Sequence, residues 1–218
     1  IDVTHPNLGD RPPTWLPGTE VFGEGIFIRF NEAAVREWED SQGPSLDRRL
    51  KELKDRLKHP DEFMRRFEKR ADSLARFILV HSFSHALIRE LQYECGYPSA
   101  SLRERLYVFP DRAGVLIYTA DADSEGSLGG LVRQGNLTRL ESTIGSAMSR
   151  SAWCSNDPVC RELAARGPGR TNRAVCHACA LISETSCTEL NGLLDRELMT
   201  GGLDHGDGVV GYLTELVQ

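Results

Sequence analysis

Four of the six cysteines in this 218-residue chain fall into two pairs, Cys154 and Cys160 in WCSNDPVC and Cys176 and Cys179 in CHAC. Thiols grouped in this way, with fifteen residues between the pairs, have the spacing of a structural zinc site. Two residues between Cys176 and Cys179 let the backbone turn tightly, so that both sulfurs face one ion. The gap between Cys154 and Cys160 is wider, and Asp157-Pro158 supplies the turn that closes it. Four thiolates around Zn²⁺ form a closed tetrahedral shell. Such a site folds the segment and activates no water. The polar stretch ARGPGRTNR between the pairs needs such a brace to stay ordered.

Cys187, in ETSC, is a fifth candidate. It is either the fourth ligand in place of Cys160 or a reduced thiol near the metal. An iron–sulfur cluster is the alternative for four cysteines. A c-type haem motif needs His after the second cysteine, where Ala180 stands. A thioredoxin-like pair needs a strand before CHAC, and a basic loop precedes it instead. Cys95, alone at a helix end, reads as a small core residue.

His81 and His85 in HSFSH lie one helical turn apart, as metal-binding histidines do, but the glutamate of HExxH is absent. Two readings stay open. The pair is either buried and neutral, with hydrogen-bond partners, or part of a polar pocket with Asp121 or Asp123. The segment DADSEG resembles a calcium loop, yet Val132 occupies the position where that loop needs a bidentate Glu. GSLGGL, ahead of a helix, reads as a structural turn, since neither a Walker lysine nor a full GxGxxG is present. No G-x-S-x-G elbow occurs. Arg166, Arg170 and Arg173, in a loop without acids, are the candidate phosphate contacts.

The elements that must position these groups follow from local pattern. Residues 1–19, with four prolines, read as a linker or loop. VFGEGIFIRF reads as a strand, with Gly23 and Gly25 marking a kink or a close backbone approach. Asn31 caps a short helix that Gly43-Pro44 ends, and Ser45 caps a second, charged helix to about Lys58. From Asp61 a stripe of Phe63, Phe67, Ala71, Leu74, Ile78, His81, His85 and Ile88 predicts one long helix to about Cys95, with a break near Phe77. LYVF and GVLIYTA predict paired strands. A helix follows from about Leu128 to Ser149, then the cysteine-rich lobe (about 150–190), a short helix over TELNGLLDRELM, and a tail that is strand or helical turn. The fold class is α+β: a small antiparallel sheet packed with a long helix, plus the zinc-stapled lobe, with residues 20–218 as a single domain.

Composition narrows the function classes. The net charge of −6 argues against coating by nucleic acid over the whole surface. Residues 47–76 are the exception, holding eleven basic and seven acidic residues, which leaves −10 for the rest. That segment is read as a solvated helix face or a docking surface for phosphates or an acidic partner. No apolar run reaches the ~20 residues of a membrane helix, and no secretory signal is visible. The start at Ile1 reads as an internal cut from a longer, cytoplasmic protein.

Several quoted segments together resemble a known family. HSFSHALIRELQYECGYPSASLRERLY, AGVLIYTADADSEGSLGGLV, WCSNDPVC and CHACALISETSCTELNGLLDREL are similar to the cysteine-containing C-terminal domain of MrfA-type repair helicases. The match is nearer to the version in DrmB-like subunits of the DISARM anti-phage system. LPGTEVFGEGIFIRFNEAAVREWE resembles the stretch just upstream in those proteins, and the likeness spans roughly residues 15–200. It implies a helicase-associated zinc-binding domain that helps hold DNA, with zinc on Cys154, Cys160, Cys176 and Cys179. It also implies a separate superfamily-two helicase partner, DrmA-like. No Walker A or P-loop-linked DExx box occurs here, so ATPase activity is expected elsewhere.

The leading expectation is thus a non-enzymatic zinc module of a defence complex, contacting a helicase and DNA. One alternative is a metal-dependent hydrolase or nuclease using His81, His85, Asp121 and Asp123. The other is a protein–protein scaffold that docks through the basic helix.

Overall fold

The computed structural model of the chain describes residues 23–119, 130–163, 165–202 and 210–214. The linker at 1–19 and the acidic loop with Asp121 and Asp123 lie outside the described residues.

Strand β1 (Gly25–Arg29) is followed by helix α1 (Glu32–Lys58). The Asn31 side chain accepts the N–H of Ala33 at 3.0 Å and of Ala34 at 3.3 Å, which starts α1 at the expected cap. Gly43-Pro44 interrupts the helix, as expected. Gly43 sits at φ 41°, ψ −119°, a conformation open to glycine, and the helix resumes through Pro44. The span named α1 is therefore the two expected helical pieces, joined at a kink.

The long helix expected from Asp61 is two pieces, a 3-10 helix at Met64–Ser73 and α2 at Leu74–Cys95. The break falls three residues before Phe77. Met64, Phe67 and Ser73 are the buried positions of the first piece, at multiples of three, which is the period of the tighter winding. Arg70 shares that row and lies 4.6 Å over the Phe77 ring.

Helix α2 is buried on nearly every side rather than along one stripe. It touches α1, the 3-10 helix, strands β2 (Leu102–Phe109) and β3 (Arg112–Thr119), and helices α4 (Leu137–Ser151) and α6 (Glu197–Thr200). Its polar residues, including His81, Ser82, Ser84 and His85, therefore lie inside the core and need partners there.

The three strands form one antiparallel sheet in the order β1-β3-β2. A Cβ at Gly23 would stand 2.3 Å from the Thr119 carbonyl oxygen, so the close approach expected of this glycine is real. Along β2 the buried positions are Leu102, Glu104 and Val108. Glu104 is fully enclosed.

Past the sheet, the helix expected over about 128–149 divides at Gly135-Asn136 into α3 (Gly130–Gln134) and α4. Glu24 accepts the N–H of Leu131 and of Val132, each at 3.0 Å, and so satisfies the first donors of α3. Helix α5 (Val159–Glu162) carries Cys160, the second thiol of the first pair.

The short helix expected over 188–199 is absent except for α6. Leu190, Asn191 and Leu193 have φ of 53°, 56° and 56°, a left-handed backbone that no α-helix accepts. This irregular run is nonetheless buried, because distant side chains take its backbone groups. Asn172 donates to the Asn191 carbonyl at 2.7 Å and accepts the Leu194 N–H at 3.0 Å. Thr171 accepts from Leu193 at 2.9 Å, and Ser82 from Asp195 at 2.8 Å. None of these partners is local, so the sequence pattern alone suggested a helix.

The described part of the tail is a turn held on α1, with Trp38 Nε1 donating to the Val210 carbonyl at 2.9 Å. The basic segment 47–76 faces both ways. Lys58 pairs with Asp55 on the surface, whereas Arg49 is buried against Asp195 and Glu197, and Arg76 against Glu32 and Glu39. Arg56 donates to the carbonyls of Gly169 and Arg170, both at 2.7 Å. Much of this charge grips the protein's own loops.

Candidate metal centre

Both cysteine pairs are shaped by turns. The Asp157 N–H donates to the Cys154 carbonyl at 2.9 Å and the Cys160 N–H to the Asn156 carbonyl at 2.8 Å. In CHAC, the N–H groups of Cys179 and Ala180 close onto the Cys176 carbonyl at 3.2 and 3.0 Å. These turns bring four sulfurs together, all within 4.8 Å of one another. Cys154 and Cys176 are 3.5 Å apart, Cys160 and Cys179 3.8 Å, and Cys176 and Cys179 3.9 Å. No pair is bonded, since a disulfide holds its sulfurs about 2.05 Å apart. A tetrahedron of Zn–S bonds of ~2.3 Å has edges of about 3.8 Å, which matches.

The surroundings favour thiolate at one corner and resist it at others. Burial pushes the Cys176 thiol up, but hydrogen bonds from Asn156 and Cys154 outweigh it and bring it down to about 6. Cys179 is pushed up to about 12, by burial first and then by the charge of Cys154 and Cys176. Cys160 is raised as well, by burial first and then by the charge of Cys179. Sulfurs this close ionise together only around a cation, and a four-thiol set suits a soft, tetrahedral dication such as Zn²⁺.

Arg196 braces the cluster from inside. Its Nε donates to the Ala174 carbonyl at 2.7 Å, its Nη1 to the Ser151 carbonyl at 3.1 Å, and its Nη2 to Asp157. Asp157 in turn accepts the Cys154 N–H at 2.9 Å. Nothing in the sequence pattern pointed to this arginine.

Cys187, the alternative fourth ligand, is not in this group. Its sulfur lies in the core with His81, His85 and Glu104, donor atoms again within 4.8 Å of one another. His81 Nε2 is 3.2 Å from Cys187 Sγ and 3.0 Å from Glu104 Oε1, and His85 Nε2 is 3.5 Å from the same oxygen. Burial opposes every charge here, yet mutual attraction prevails. The carboxyl of Glu104 is held far below its usual range by the two histidines, and both imidazoles are raised by Glu104 and Cys187. Glu104 is the residue that sequence reasoning missed. Asp121 and Asp123, the acids expected beside the histidines, lie outside the described residues.

The three candidate phosphate contacts do not form one exposed row. Arg170 is exposed and Arg166 half-buried. Arg173 is also half-buried and directs Nη1 at the Arg49 carbonyl at 3.4 Å. Cys95 ends α2 and packs partly buried against the core, as expected.

Comparison with known proteins gives the geometry a family. Residues 83–180 match the family model of the MrfA Zn-binding domain, a span that holds Cys154, Cys160, Cys176 and Cys179. Over 197 residues, 89% of this chain, the sequence is 39% identical to the DISARM protein DrmB of Bacillus paralicheniformis. The chain covers 34% of that relative, about a third of its length. Among the described residues no helix is long and apolar enough to cross a membrane. Residues 83–180 are thus similar to the MrfA Zn-binding domain, zinc is the metal that this match and the four thiols support, and the chain is similar over most of its length to a DISARM protein.

Proposed function

We propose that this chain is a non-catalytic, zinc-stapled module of a DISARM-type defence subunit, which contacts a superfamily-two helicase partner and DNA. The observation that carries the reading is the convergence of Cys154, Cys160, Cys176 and Cys179 on one tetrahedral volume. A set of four thiolates closes its ion to water and makes a rigid knob. The burial of His81 and His85, both fully enclosed among the described residues, favours this reading over a hydrolase.

DNA contact draws support from the surface beside the cysteines. Trp153 and Tyr93 are exposed, and the Arg150 guanidinium stacks 4.0 Å over the Tyr93 ring. They line a cleft with Arg89, Cys154 and Cys179. Aromatic faces interleaved with cations suit the bases and backbone of a nucleic-acid strand. Arg170, exposed, and Arg166, half-buried, add charge to the lobe.

Fluorescence anisotropy with labelled single- and double-stranded DNA, over a range of salt, tests the reading. Trp153→Ala combined with Tyr93→Ala is expected to weaken single-strand binding by about 1–3 kcal/mol for each base that no longer stacks. Replacing Arg166, Arg170 and Arg173 with Ala is expected to flatten the salt dependence, by a slope of ~0.9 for each duplex phosphate no longer neutralised. No binding by the intact zinc-loaded chain, alone or with its helicase, sinks the DNA half of the proposal. Failure to co-purify with the helicase sinks the other half.

A further inference from the structure

We infer that His81, His85, Glu104 and Cys187 form a second metal site, distinct from the four-thiol cluster, that takes a divalent first-row transition ion, Zn²⁺ first among them. Four donors of different chemical kinds reach one buried point from three separate parts of the chain. Both imidazoles come from α2, the carboxylate from β2, and the thiol from the irregular run that follows CHAC.

The hydrogen bonds around the cluster orient every donor inward. His81 Nδ1 faces the Leu193 carbonyl at 3.3 Å, and His85 Nδ1 faces the Ala180 carbonyl at 2.9 Å. A carbonyl only accepts, so each Nδ1 carries the hydrogen, and in the neutral rings each Nε2 presents a lone pair to the centre. Glu104 uses Oε2 to accept the Ser84 hydroxyl, which leaves Oε1 for the centre. Cys187 Sγ is held by the Asn191 N–H at 3.3 Å. Ligands backed by an outer ring of hydrogen bonds are the usual construction of a metal site.

Two inward atoms, His85 Nε2 and Glu104 Oε1, are buried and meet no group outside the cluster, Oε1 lying 3.0 Å from His81 Nε2 and 3.5 Å from His85 Nε2 without a well-formed hydrogen bond. With both rings neutral, as ligation requires, the enclosed Glu104 carboxylate has no cation beside it, and buried polar atoms are rarely left so. An ion at ~2.0–2.1 Å from nitrogen and oxygen and ~2.3 Å from sulfur satisfies all four donors at once. The tetrahedral edges of such a centre are about 3.3–3.6 Å, against observed separations of 3.0, 3.2 and 3.5 Å. A carboxylate and a thiolate neutralise a dication, which suits full burial. Imidazole and thiolate select a transition ion over magnesium or calcium.

The site has a clear mechanical consequence. It would rivet α2 and β2 to the Cys187 segment, while the four-thiol cluster staples the two knuckles beyond. The centres meet at one peptide, because Ala180, whose carbonyl receives His85, follows Cys179 directly.

Metal content of the purified full chain, measured by inductively coupled plasma mass spectrometry across the first-row ions, tests the inference. X-ray absorption at the metal edge accompanies it. Two ions per chain are expected, with donors averaging five sulfurs to three nitrogens or oxygens over both. His85→Gln and Glu104→Gln should each lose one ion, while the thiolate-to-cobalt absorption of the four-thiol centre persists in the Co²⁺-loaded variants. One ion per chain with sulfur neighbours alone overturns the second site, and that readout needs no variant to fold. One ion with mixed donors would instead support this site and remove the four-thiol one.

Discussion

Arg196 and Asp157 are joined in a buried ion pair, and the same guanidinium reaches the carbonyls of Ser151 and Ala174. One side chain thus ties the segment before Cys154 to the segment before Cys176. Replacing Arg196 with Met removes that tie and strands the carboxylate that holds the Cys154 N–H. Loss of one partner from a buried pair costs about 3–5 kcal/mol. Zinc affinity is expected to fall ~10–100-fold, as for other outer-ring contacts. Competition against a chromogenic chelator reads the affinity, and urea unfolding reads the stability. Unchanged zinc affinity would deny Arg196 this role.

Stripping the metal should unfold the lobe and spare the sheet. Binding energies of structural zinc run to about 10–16 kcal/mol in zinc-finger peptides, enough to dominate a loop-rich segment. Hydrogen exchange on chain that has lost only the four-thiol ion is expected to show loss of protection over residues 153–180, with β2 and β3 still protected. Cys176→Ser removes that ion without chelator.

Arg49 anchors α1 to the run containing Asp195 and Glu197, at 2.6 and 2.5 Å. All three side chains are almost wholly buried. Arg49→Met leaves the buried Asp195 without its cation and Glu197 with Arg161 alone, and a loss of about 3–5 kcal/mol is expected in chemical denaturation. Lys58→Met, on the surface, should change stability by less than about 1 kcal/mol.

Helix α1 offers two smaller tests. Asn31→Ala removes the cap on Ala33 and Ala34 and should cost about 1 kcal/mol. Gly43→Ala places a side chain at positive φ and should cost about 1–2 kcal/mol, although nothing lies within 4 Å of the added atom. Thermal melts resolve both.

Acid sensitivity should follow Glu32. Burial raises its carboxyl, but hydrogen bonds and charge from Arg36 and Arg76 outweigh it and hold the group below its ordinary value. The folded form therefore binds this proton less readily than the unfolded chain. Its contribution to stability is complete above pH of about 4.5 and is lost as the pH falls through the depressed value. Arg76→Met should shrink that part of the acid dependence, seen as a shallower loss of stability below pH of about 4.5. An identical acid profile in the variant would assign the effect elsewhere.

The parts legible in the sequence are those that short stretches of backbone decide. The spacing of Cys176 and Cys179 forces both sulfurs to one side of a turn, and Asn31 and the β2–β3 hairpin are marked by residues beside them. The sequence also held a sign of the second cluster that periodicity reasoning passed over. In β2 the inward phase runs Leu102, Glu104, Leu106, Val108, and a carboxylate in that phase asks for a buried partner.

Nothing local separates Cys187 from Cys160, since both are thiols a few residues from a turn. Tertiary packing sent one to Cys179 and the other to His81, 106 positions away. The left-handed residues Leu190, Asn191 and Leu193 were hidden for the same reason, because Asn172 and Thr171 satisfy that backbone from another loop. Spacing along the chain determines which donors can point the same way within a turn. Which distant donors share one buried volume is settled only when the core closes and every enclosed polar atom must find a partner.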